Sequence, residues 1–296
     1  MLSVLIPTYN TATDQLVHSL LEQMESCEVE FEIRVYDDGS TTPTLGAEFQ
    51  HHPKVIHERM AKNLGRSAIR NRLAADALFD NLLFLDADVA PNPELIKNYL
   101  PYCTTKAEVV TGGITYPKSY PSPQQSLRYY YGKQREARSL ETRKEHPYLS
   151  FLSLNFLIHR SVFQQVTFNE ELPNLRHEDT LFGQDLKKAG IPIQHLDNTV
   201  VHLGLETNAD FLRKSEEAIE GLQFMIERQM ISAKVVRLSR LATQLHQIGV
   251  SGLVRKIYQS LRFRLVNNLL SAEPSLKVFD FYRLGYWFSL QNEKHA

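Results

Sequence analysis

Short β-rich runs alternate with helical patterns through the first two-thirds of the sequence, and this alternation limits the folds open to the chain. The apolar run Leu2–Pro7 precedes helical spacing over Asp14–Ser26, and the alternating segment Phe31–Tyr36 precedes a helical pattern over Ser67–Phe79. The buried-strand pattern Asn81–Leu85 continues the series. Strands and helices that alternate at this spacing form parallel βαβ units. The sequence therefore predicts an α/β fold with a parallel sheet.

The pattern changes from about Glu206 onward. Glycine and proline become sparse, β-rich runs disappear, and Leu, Ile and Val recur at helical spacing through Leu270. A helical period without strands indicates helices that pack on one another or on a neighbouring surface. We therefore expect an α/β domain over residues 1–205 and a helical extension over residues 206–296.

The overall composition excludes several classes of protein. The 33 Lys and Arg residues nearly balance the 34 Asp and Glu residues, whereas a general nucleic-acid binder is normally basic. Two cysteines, Cys27 and Cys103, form neither a disulfide framework nor a zinc spacing. The amino terminus lacks a secretory pattern, and no stretch approaches the ~20 apolar residues that span a bilayer. We expect a cytoplasmic protein without a nucleic-acid partner, with peripheral contact to the inner face of the cytoplasmic membrane as an open alternative.

Polar residues directly follow several apolar runs, and ligands of parallel α/β sheets bind beyond the carboxyl ends of the strands. Asp86 and Asp88 come directly after the run Asn81–Leu85. In an extended chain alternate residues point to the same side, so both carboxylates can converge on one Mg²⁺ or Mn²⁺ ion. Solvated Asp-x-Asp tripeptides are common, and the pair alone is a weak indication of a metal site.

Three further groups of residues each have both a structural and a functional interpretation. Asp37 and its neighbour either form a turn or accept hydrogen bonds from a base or a ribose. Glu178 and Asp179 either cap the helix that follows them or supply a general base. His202 ends an apolar run, and a lone histidine of this kind is more often structural than a metal ligand.

Several segments, taken in order and spacing, resemble the family 2 glycosyltransferases. The resemblance implies the GT-A fold, a Rossmann-like mixed, mostly parallel sheet flanked by helices, here followed by the C-terminal helical extension. The resemblance covers roughly residues 1–204, and any single segment would be weak evidence. The segments are SVLIPTYN, YDDGS, NLGRSAIRNRLAADA, FLDADV, the asparagine of SLNFLIHRSVF, HEDTLFGQDLKKAGI and VVHLG. Members of this family transfer a sugar from a nucleotide donor, usually UDP-linked, with inversion of the anomeric configuration.

The resemblance implies a role for each matching position in binding the donor. Thr8 and Asp37 would hold the uracil, and Asp86 would contact the ribose. Asn63 and Arg70 would lie near the nucleotide. The residues that would face the donor sugar are Gly112 and Gly113, whose backbone would approach it closely, and Asn155.

The resemblance also implies a metal ion and a base. Asp88 and His202 would be ligands of a Mn²⁺ or Mg²⁺ ion, which stabilises a diphosphate leaving group as a Lewis acid. Asp179 would be the catalytic base, with Glu178 beside it. An acceptor hydroxyl is a poor nucleophile, so a carboxylate must take its proton as it attacks.

The segment Arg128–Arg135 is the candidate acceptor site, within a predicted helix over residues 124–142. Aromatic rings stack on sugars and cations pair with phosphates, so Tyr130 and Arg135 are the candidate contacts. The alternative interpretation is a solvated amphipathic helix.

The tail carries a basic segment that the near-zero net charge conceals. Residues Arg228 to Arg264 include eight Lys and Arg and no Asp or Glu. A predicted apolar row follows helical spacing at Ile257, Leu261, Leu265 and Leu269. Such a helix packs on its own protein, lies on an anionic membrane or forms a dimer, and the oligomeric state is left open.

The sequence predicts an inverting, metal-dependent glycosyltransferase that moves a sugar from a UDP-sugar to a hydroxyl of a glycan or lipid-linked acceptor, in the biosynthesis of a surface polysaccharide or glycolipid. A nucleotidyltransferase is one alternative, but such enzymes usually carry a glycine-rich phosphate loop after the first strand, where this chain reads PTYNTATD. A non-catalytic nucleotide-sugar-binding module is the other, and such a module has no need of Asp179.

Overall fold

The chain forms two compact units in the computed structural model, which describes residues 1–49, 51–104, 108–118, 122–174 and 176–293. The first unit comprises Met1–Pro117, Ala137–Glu171 and Glu178–Gly204. The second comprises Lys118–Glu136, Leu172–His177 and Leu205–Ala296. The second unit thus includes two segments from within the range assigned to the α/β domain, and the contiguous division at residue 205 stays a prediction.

The first unit contains the strands. They are β1 Leu2–Thr8, β2 Phe31–Asp37, β3 Val55–Arg59, β4 Asn81–Leu85, β5 Val89–Ala90, β6 Val109–Thr111, β7 Ile114–Thr115, β8 Asn155–His159, β9 Ile193–His195 and β10 Val200–His202. The helices in chain order are α1 Asp14–Ser26, α2 Arg66–Asp76, α3 Leu95–Tyr99, α4 Ser126–Tyr131, α5 Leu140–Glu145, α6 Arg160–Phe163, α7 Glu178–Lys188, α8 Asn208–Glu227, α9 Arg237–Gln247, α10 Ser251–Leu269 and α11 Leu276–Glu293. Helices α4 and α8–α11 belong to the second unit.

Two sheets organise the first unit and confirm the predicted α/β class. The larger sheet has the strand order β3-β2-β1-β4-β8-β6-β9, in which β8 runs antiparallel to both of its neighbours and the other pairs are parallel. The smaller sheet has the order β5-β10-β7. In it β10 runs antiparallel to β5, with His202 opposite Val89. This pairing brings the residue before β5, Asp88, next to the end of β10.

The apolar runs of the sequence become the centre of the larger sheet. Strands β1 and β4 are neighbours and are buried on both faces, as expected for parallel strands covered by helices. Phe84 of β4 stacks on Phe156 of β8 with ring centroids 4.7 Å apart. Phe182 of α7 stacks on Phe168 at 4.3 Å. This aromatic core fixes α7, and with it Glu178 and Asp179, against the sheet.

The helices of the second unit pack through an apolar core of their own, which includes Tyr258 and Leu269 of α10. The predicted apolar row is wrong in part, because Ile257 points outward while its neighbour Tyr258 is buried. The reason is tertiary: Gly285 of α11 leaves room for the Tyr258 ring, since a Cβ there would lie 2.3 Å from it.

The predicted helix over residues 124–142 is interrupted. Helix α4 continues as a single π-helical turn, Gly132–Glu136, and α5 begins only after Ser139, whose hydroxyl accepts a hydrogen bond from the backbone N–H of Thr142. In the part of the chain that the structure describes, no helix is both long and apolar enough to cross a membrane.

Candidate active site

The ends of β1 and β2 lie side by side and carry the two residues that were predicted to hold the uracil of the nucleotide. Thr8 and Asp37 are partners in the parallel register and are both buried. The Thr8 hydroxyl donates to the carbonyl of Thr11 at 2.8 Å. Asp37 Oδ1 accepts from the backbone N–H of Ser40 at 2.8 Å. Both side chains therefore shape the turns that follow their strands.

Asp38 links this turn to helix α2, a role that the sequence did not reveal. Its carboxylate accepts hydrogen bonds from the backbone N–H groups of Leu64 at 2.6 Å and Gly65 at 3.0 Å. Asn63 Nδ2 donates to the Asp38 carbonyl at 3.1 Å. Burial raises the pKa of Asp38 above its ordinary range despite these donors. Asp38 and Asn63 thus hold the start of α2 at the carboxyl ends of the strands.

Arg70 brings together two of the carboxylates predicted for the site. Its Nη2 lies 2.6 Å from Asp86 Oδ1, and its Nη1 lies 3.6 Å from Glu178 Oε1. Arg66, one helical turn earlier, also lies 3.6 Å from Glu178 Oε1. Burial opposes the charge of Arg70, but the facing carboxylates raise its pKa above the ordinary value. A buried cation with two carboxylate partners is costly to disrupt, so this cluster is a fixed part of the site.

Arg66 was missed at the sequence level. The signal was its i, i+4 spacing from Arg70 in NLGRSAIRN, which places the two side chains on one face of α2.

Asp179 has the protonation chemistry expected of a general base. It is half-buried at the start of α7, and Oδ1 accepts from the backbone N–H of Thr180 at 2.6 Å. Burial, together with the negative charge of Glu178, raises the pKa of Asp179 to about 7. A carboxylate of that basicity accepts protons far better near neutral pH than an ordinary aspartate does.

The side chains of Asp88 and His202 lie next to each other. Asp88 Oδ2 lies 3.5 Å from His202 Nε2, and the backbone N–H of Leu203 donates to the Asp88 carbonyl at 2.8 Å. Gly204 leaves room for this carboxylate, because a Cβ there would lie 1.9 Å from Asp88 Oδ2. Gly204 is a further residue that the sequence analysis did not select, although it closes the VVHLG segment.

The donor set of this pair fits a divalent cation that is shared with a nucleotide. Asp88 offers carboxylate oxygens and His202 an imidazole nitrogen, both ligand types of Mn²⁺. Among the described residues no group of three or more His, Cys, Asp or Glu side chains could hold a metal. Mg²⁺-type sites commonly use one or two protein ligands and take the others from substrate phosphates and water. Two ligands from the chain are consistent with that arrangement.

Hydrogen bonds within the protein hold the Asn155 side chain. It is buried, its Nδ2 donates to the carbonyls of Gly113 at 3.0 Å and Asn198 at 2.9 Å, and Oδ1 accepts from the Tyr99 hydroxyl at 2.8 Å. These bonds use both amide hydrogens. Asn155 thus has a structural role, and its contact with the donor sugar stays a prediction.

The two glycines after β6 are explained by packing inside the protein. A Cβ at Gly112 would lie 2.1 Å from the carbonyl oxygen of Asn198. Gly113 has φ of +82° and faces the Arg143 guanidinium, 2.7 Å from where its Cβ would be. Only glycine fits both positions, so their presence by itself gives no evidence of contact with a sugar.

The candidate acceptor residues belong to the second unit. Tyr130 is half-buried, with its ring 5.9 Å from that of Tyr129. Arg135 lies in the π-helical turn and its Nη2 is 2.9 Å from Asp280 Oδ2 of α11. An acceptor phosphate would share Arg135 with this carboxylate. Both assignments stay predictions.

The chain belongs to glycosyl transferase family 2. The sequence model of that family matches residues 3–167. A relative named "uncharacterized glycosyltransferase YfnE", from Bacillus subtilis (strain 168), is 31% identical over 121 residues, which are 40% of this chain and 31% of YfnE. The matched part thus spans about a third of that relative's length.

Solved structures confirm the GT-A fold. The mannosyltransferase PcManGT from Pyrobaculum calidifontis, in complex with GDP-Man and Mn²⁺, is similar with a TM-score of 0.54 at 13% identity, covering 99% of this chain and 86% of that chain. Glucosyl-3-phosphoglycerate synthase from Mycobacterium tuberculosis, in complex with Mn²⁺, UDP and glucosyl-3-phosphoglycerate, has a TM-score of 0.51 at 17% identity, covering 75% and 78%.

Proposed function

We propose that this protein transfers a sugar from a UDP-sugar to a hydroxyl group with inversion at the anomeric carbon. The observation that carries the proposal is Asp179, a half-buried carboxylate with a pKa of about 7 beside the buried Arg70 cluster. Asp179 accepts the proton of the acceptor hydroxyl while that oxygen attacks the anomeric carbon, and the bond to the diphosphate breaks. A single displacement needs one base, and no second carboxylate nucleophile of the retaining hydrolase type.

The residues at the strand ends bind and orient the donor in this proposal. Asp86, held by Arg70 at 2.6 Å, accepts hydrogen bonds from the ribose hydroxyls. Thr8 and Asp37 line the place of the uracil, and Asn63 lies near the nucleotide at the start of α2. Glu178 is engaged by Arg66 and Arg70, so its role is to position α2 and to raise the basicity of Asp179.

Asp88 and His202 would hold a Mn²⁺ or Mg²⁺ ion together with the donor. When bound, this ion supplies Lewis-acid stabilisation of the negative charge that develops on the diphosphate leaving group. The two protein ligands, their 3.5 Å separation and the room left by Gly204 support the assignment.

The acceptor is a glycan or lipid-linked hydroxyl, and the pathway is the synthesis of a surface polysaccharide or glycolipid. Tyr130 and Arg135 are its proposed contacts. Gly112 and Gly113, although their backbone is fixed by packing, stay the proposed neighbours of the donor sugar.

Nucleotide release in the presence of Mn²⁺ tests the proposal. The full chain is incubated with a panel of UDP-sugars, with GDP-mannose and with a set of acceptor glycans. We expect UDP to be released from one UDP-sugar, and a chelator to suppress the release. Release of GDP alone would contradict the choice of UDP, and release of pyrophosphate from a nucleoside triphosphate would instead identify a nucleotidyltransferase.

A further inference from the structure

One face of α10 is exposed along its whole length and carries both cations and large apolar side chains. Residues that share this face at 3.6 residues per turn span about 20 Å. All are exposed: Leu253, Lys256, Ile257, Ser260, Phe263, Arg264 and Asn267. Phe263 is 77% exposed and Leu253 60% exposed. Single apolar residues on a surface need no explanation, but a row of them on one helix face indicates an interaction surface.

The opposite face of α10 already has its partner. Tyr258 and Leu269 are buried in the core of the second unit, and the Tyr258 ring lies 5.4 Å from that of Tyr282 in α11. The packing that stabilises α10 therefore does not involve Leu253, Ile257 or Phe263. These three side chains are therefore exposed even though α10 is packed against α11.

The charged residues within α10 and its neighbours in the sequence have one sign. No Asp or Glu occurs in residues 228–272, whereas that segment holds eight Lys and Arg. Lys256 and Arg264 of α10 flank the exposed apolar residues. A face that is cationic and apolar at once matches the boundary between anionic lipid headgroups and acyl chains.

We propose that this face of α10 binds the surface of an anionic lipid bilayer, with Leu253, Ile257 and Phe263 entering the interface and Lys256 and Arg264 contacting the headgroup phosphates. A second copy of the chain is a poorer partner, because a symmetric contact would place the same cations against one another. A soluble polyanion would pair with the cations and leave the apolar row without a partner. This proposal does not depend on the glycosyltransferase activity.

Flotation of the full chain with lipid vesicles tests the proposal without any donor or acceptor. Phosphatidylglycerol vesicles should carry the protein upward, and pure phosphatidylcholine vesicles should not. The double variant Leu253→Ser, Phe263→Ser should lower the bound fraction about tenfold, since it removes the apolar anchor. The double variant Lys256→Gln, Arg264→Gln should lower binding to phosphatidylglycerol in a salt-dependent way.

Matched controls separate this face from general surface effects. Leu78→Ser changes a side chain that is 67% exposed in the first unit, and Lys144→Gln with Lys187→Gln removes two exposed charges there. Both controls should float like the unaltered protein. The proposal is overturned if the unaltered protein stays at the bottom with phosphatidylglycerol, or if both α10 variants still float fully. It is also overturned if sedimentation shows a dimer that the Leu253→Ser, Phe263→Ser variant dissociates.

Discussion

At the scale of single residues, the proposed function depends most on the surroundings of Asp179. Burial and then the negative charge of Glu178 raise the pKa of Asp179, and Glu178 is held in place by Arg66 and Arg70 at 3.6 Å. Arg70 also contacts Asp86. In the proposed function, proton acceptance and donor binding are therefore linked through the guanidinium of Arg70.

The rate of transfer should depend on pH through Asp179. Only the ionised carboxylate accepts a proton, so kcat should rise with pH and be half-maximal near the pKa of about 7. The measurement is UDP release at saturating donor and acceptor from about pH 5.5 to about pH 8.5. A profile that stays flat across this range would show that Asp179 does not titrate in the rate-limiting step.

Asp179 should also lower the stability of the fold at neutral pH. Its pKa is about 7 in the folded chain against an ordinary value of 3.8, so between these values the folded state binds more protons than the unfolded state. Proton binding by Asp179 stabilises the folded state at low pH, and this stabilisation is lost as pH rises through about 7. Asp179→Asn should therefore raise Tm more at about pH 8 than at about pH 5. Asp185→Asn is the control on the same helix, where the carboxylate pairs with Lys188 and is 28% exposed, and it should show no such trend.

Gly204 gives a test of the metal site that leaves its ligands unchanged. Gly204→Ala would place a Cβ against Asp88 Oδ2, and the carboxylate must move. We expect Mn²⁺ affinity, titrated in the presence of UDP, to weaken about tenfold, as for other changes beside metal ligands. Gly252→Ala is the matched control, since nothing lies within 4 Å of its Cβ. Equal Mn²⁺ affinity in both variants would argue against Asp88 as a ligand.

The sequence could predict which residues lie at the candidate site only where a motif marks them. Asp86, Asp88, Asp179 and His202 follow apolar runs or begin a helix, and the structure places Asp86 beside Arg70 and Asp88 beside His202, while their roles stay predictions. The internal hydrogen bonds of Asn155 could not be predicted, because its partners Tyr99 and Asn198 lie more than 40 residues away in the chain. Nothing in the local sequence shows those hydrogen bonds.

At the scale of elements, hydrophobic periodicity predicted the strands of the larger sheet well and the tail helices less well. Strands β1, β2 and β4 fall within a residue or so of their predicted ranges, because each has a local hydrophobic pattern, a continuous apolar run in β1 and β4 and an alternating one in β2. Helix α10 is exposed on one face and its buried row depends on α11. The π-helical turn Gly132–Glu136 has no periodic signal at all.

The contact between α10 and α11 should be sensitive to one glycine. Gly285 sits within a helix, where glycine is unfavourable, because a Cβ would lie 2.3 Å from the Tyr258 ring. Gly285→Ala should destabilise the protein by about 1–3 kcal/mol through overpacking, as measured by denaturant unfolding. Gly252→Ala in α10 has open space around it and should be neutral or slightly stabilising. A stabilising Gly285→Ala would show that the helices separate easily at this point.

At the scale of the whole molecule, the two units carry different charge patterns. The acidic residues of the candidate site lie at strand ends of the first unit, whereas the segment of the second unit from 228 to 272 contains Lys and Arg but no Asp or Glu. The near-zero net charge is the sum of these two patterns. We propose glycosyl transfer at the acidic residues of the first unit and binding of an anionic lipid bilayer by α10 of the second unit. Each proposal has its own test.

The substitution Asp179→Asn tests the assignment of the general base. We expect kcat for UDP release to fall by about a hundredfold to ten-thousandfold, the contribution of a general base, while the Kd for the UDP-sugar in the presence of Mn²⁺ stays unchanged. Asp185→Asn, which alters a partner of Lys188 on the same helix that is 28% exposed, should retain full activity. A variant Asp179→Asn that turns over at the rate of the unaltered protein would contradict the assignment of Asp179 as the base.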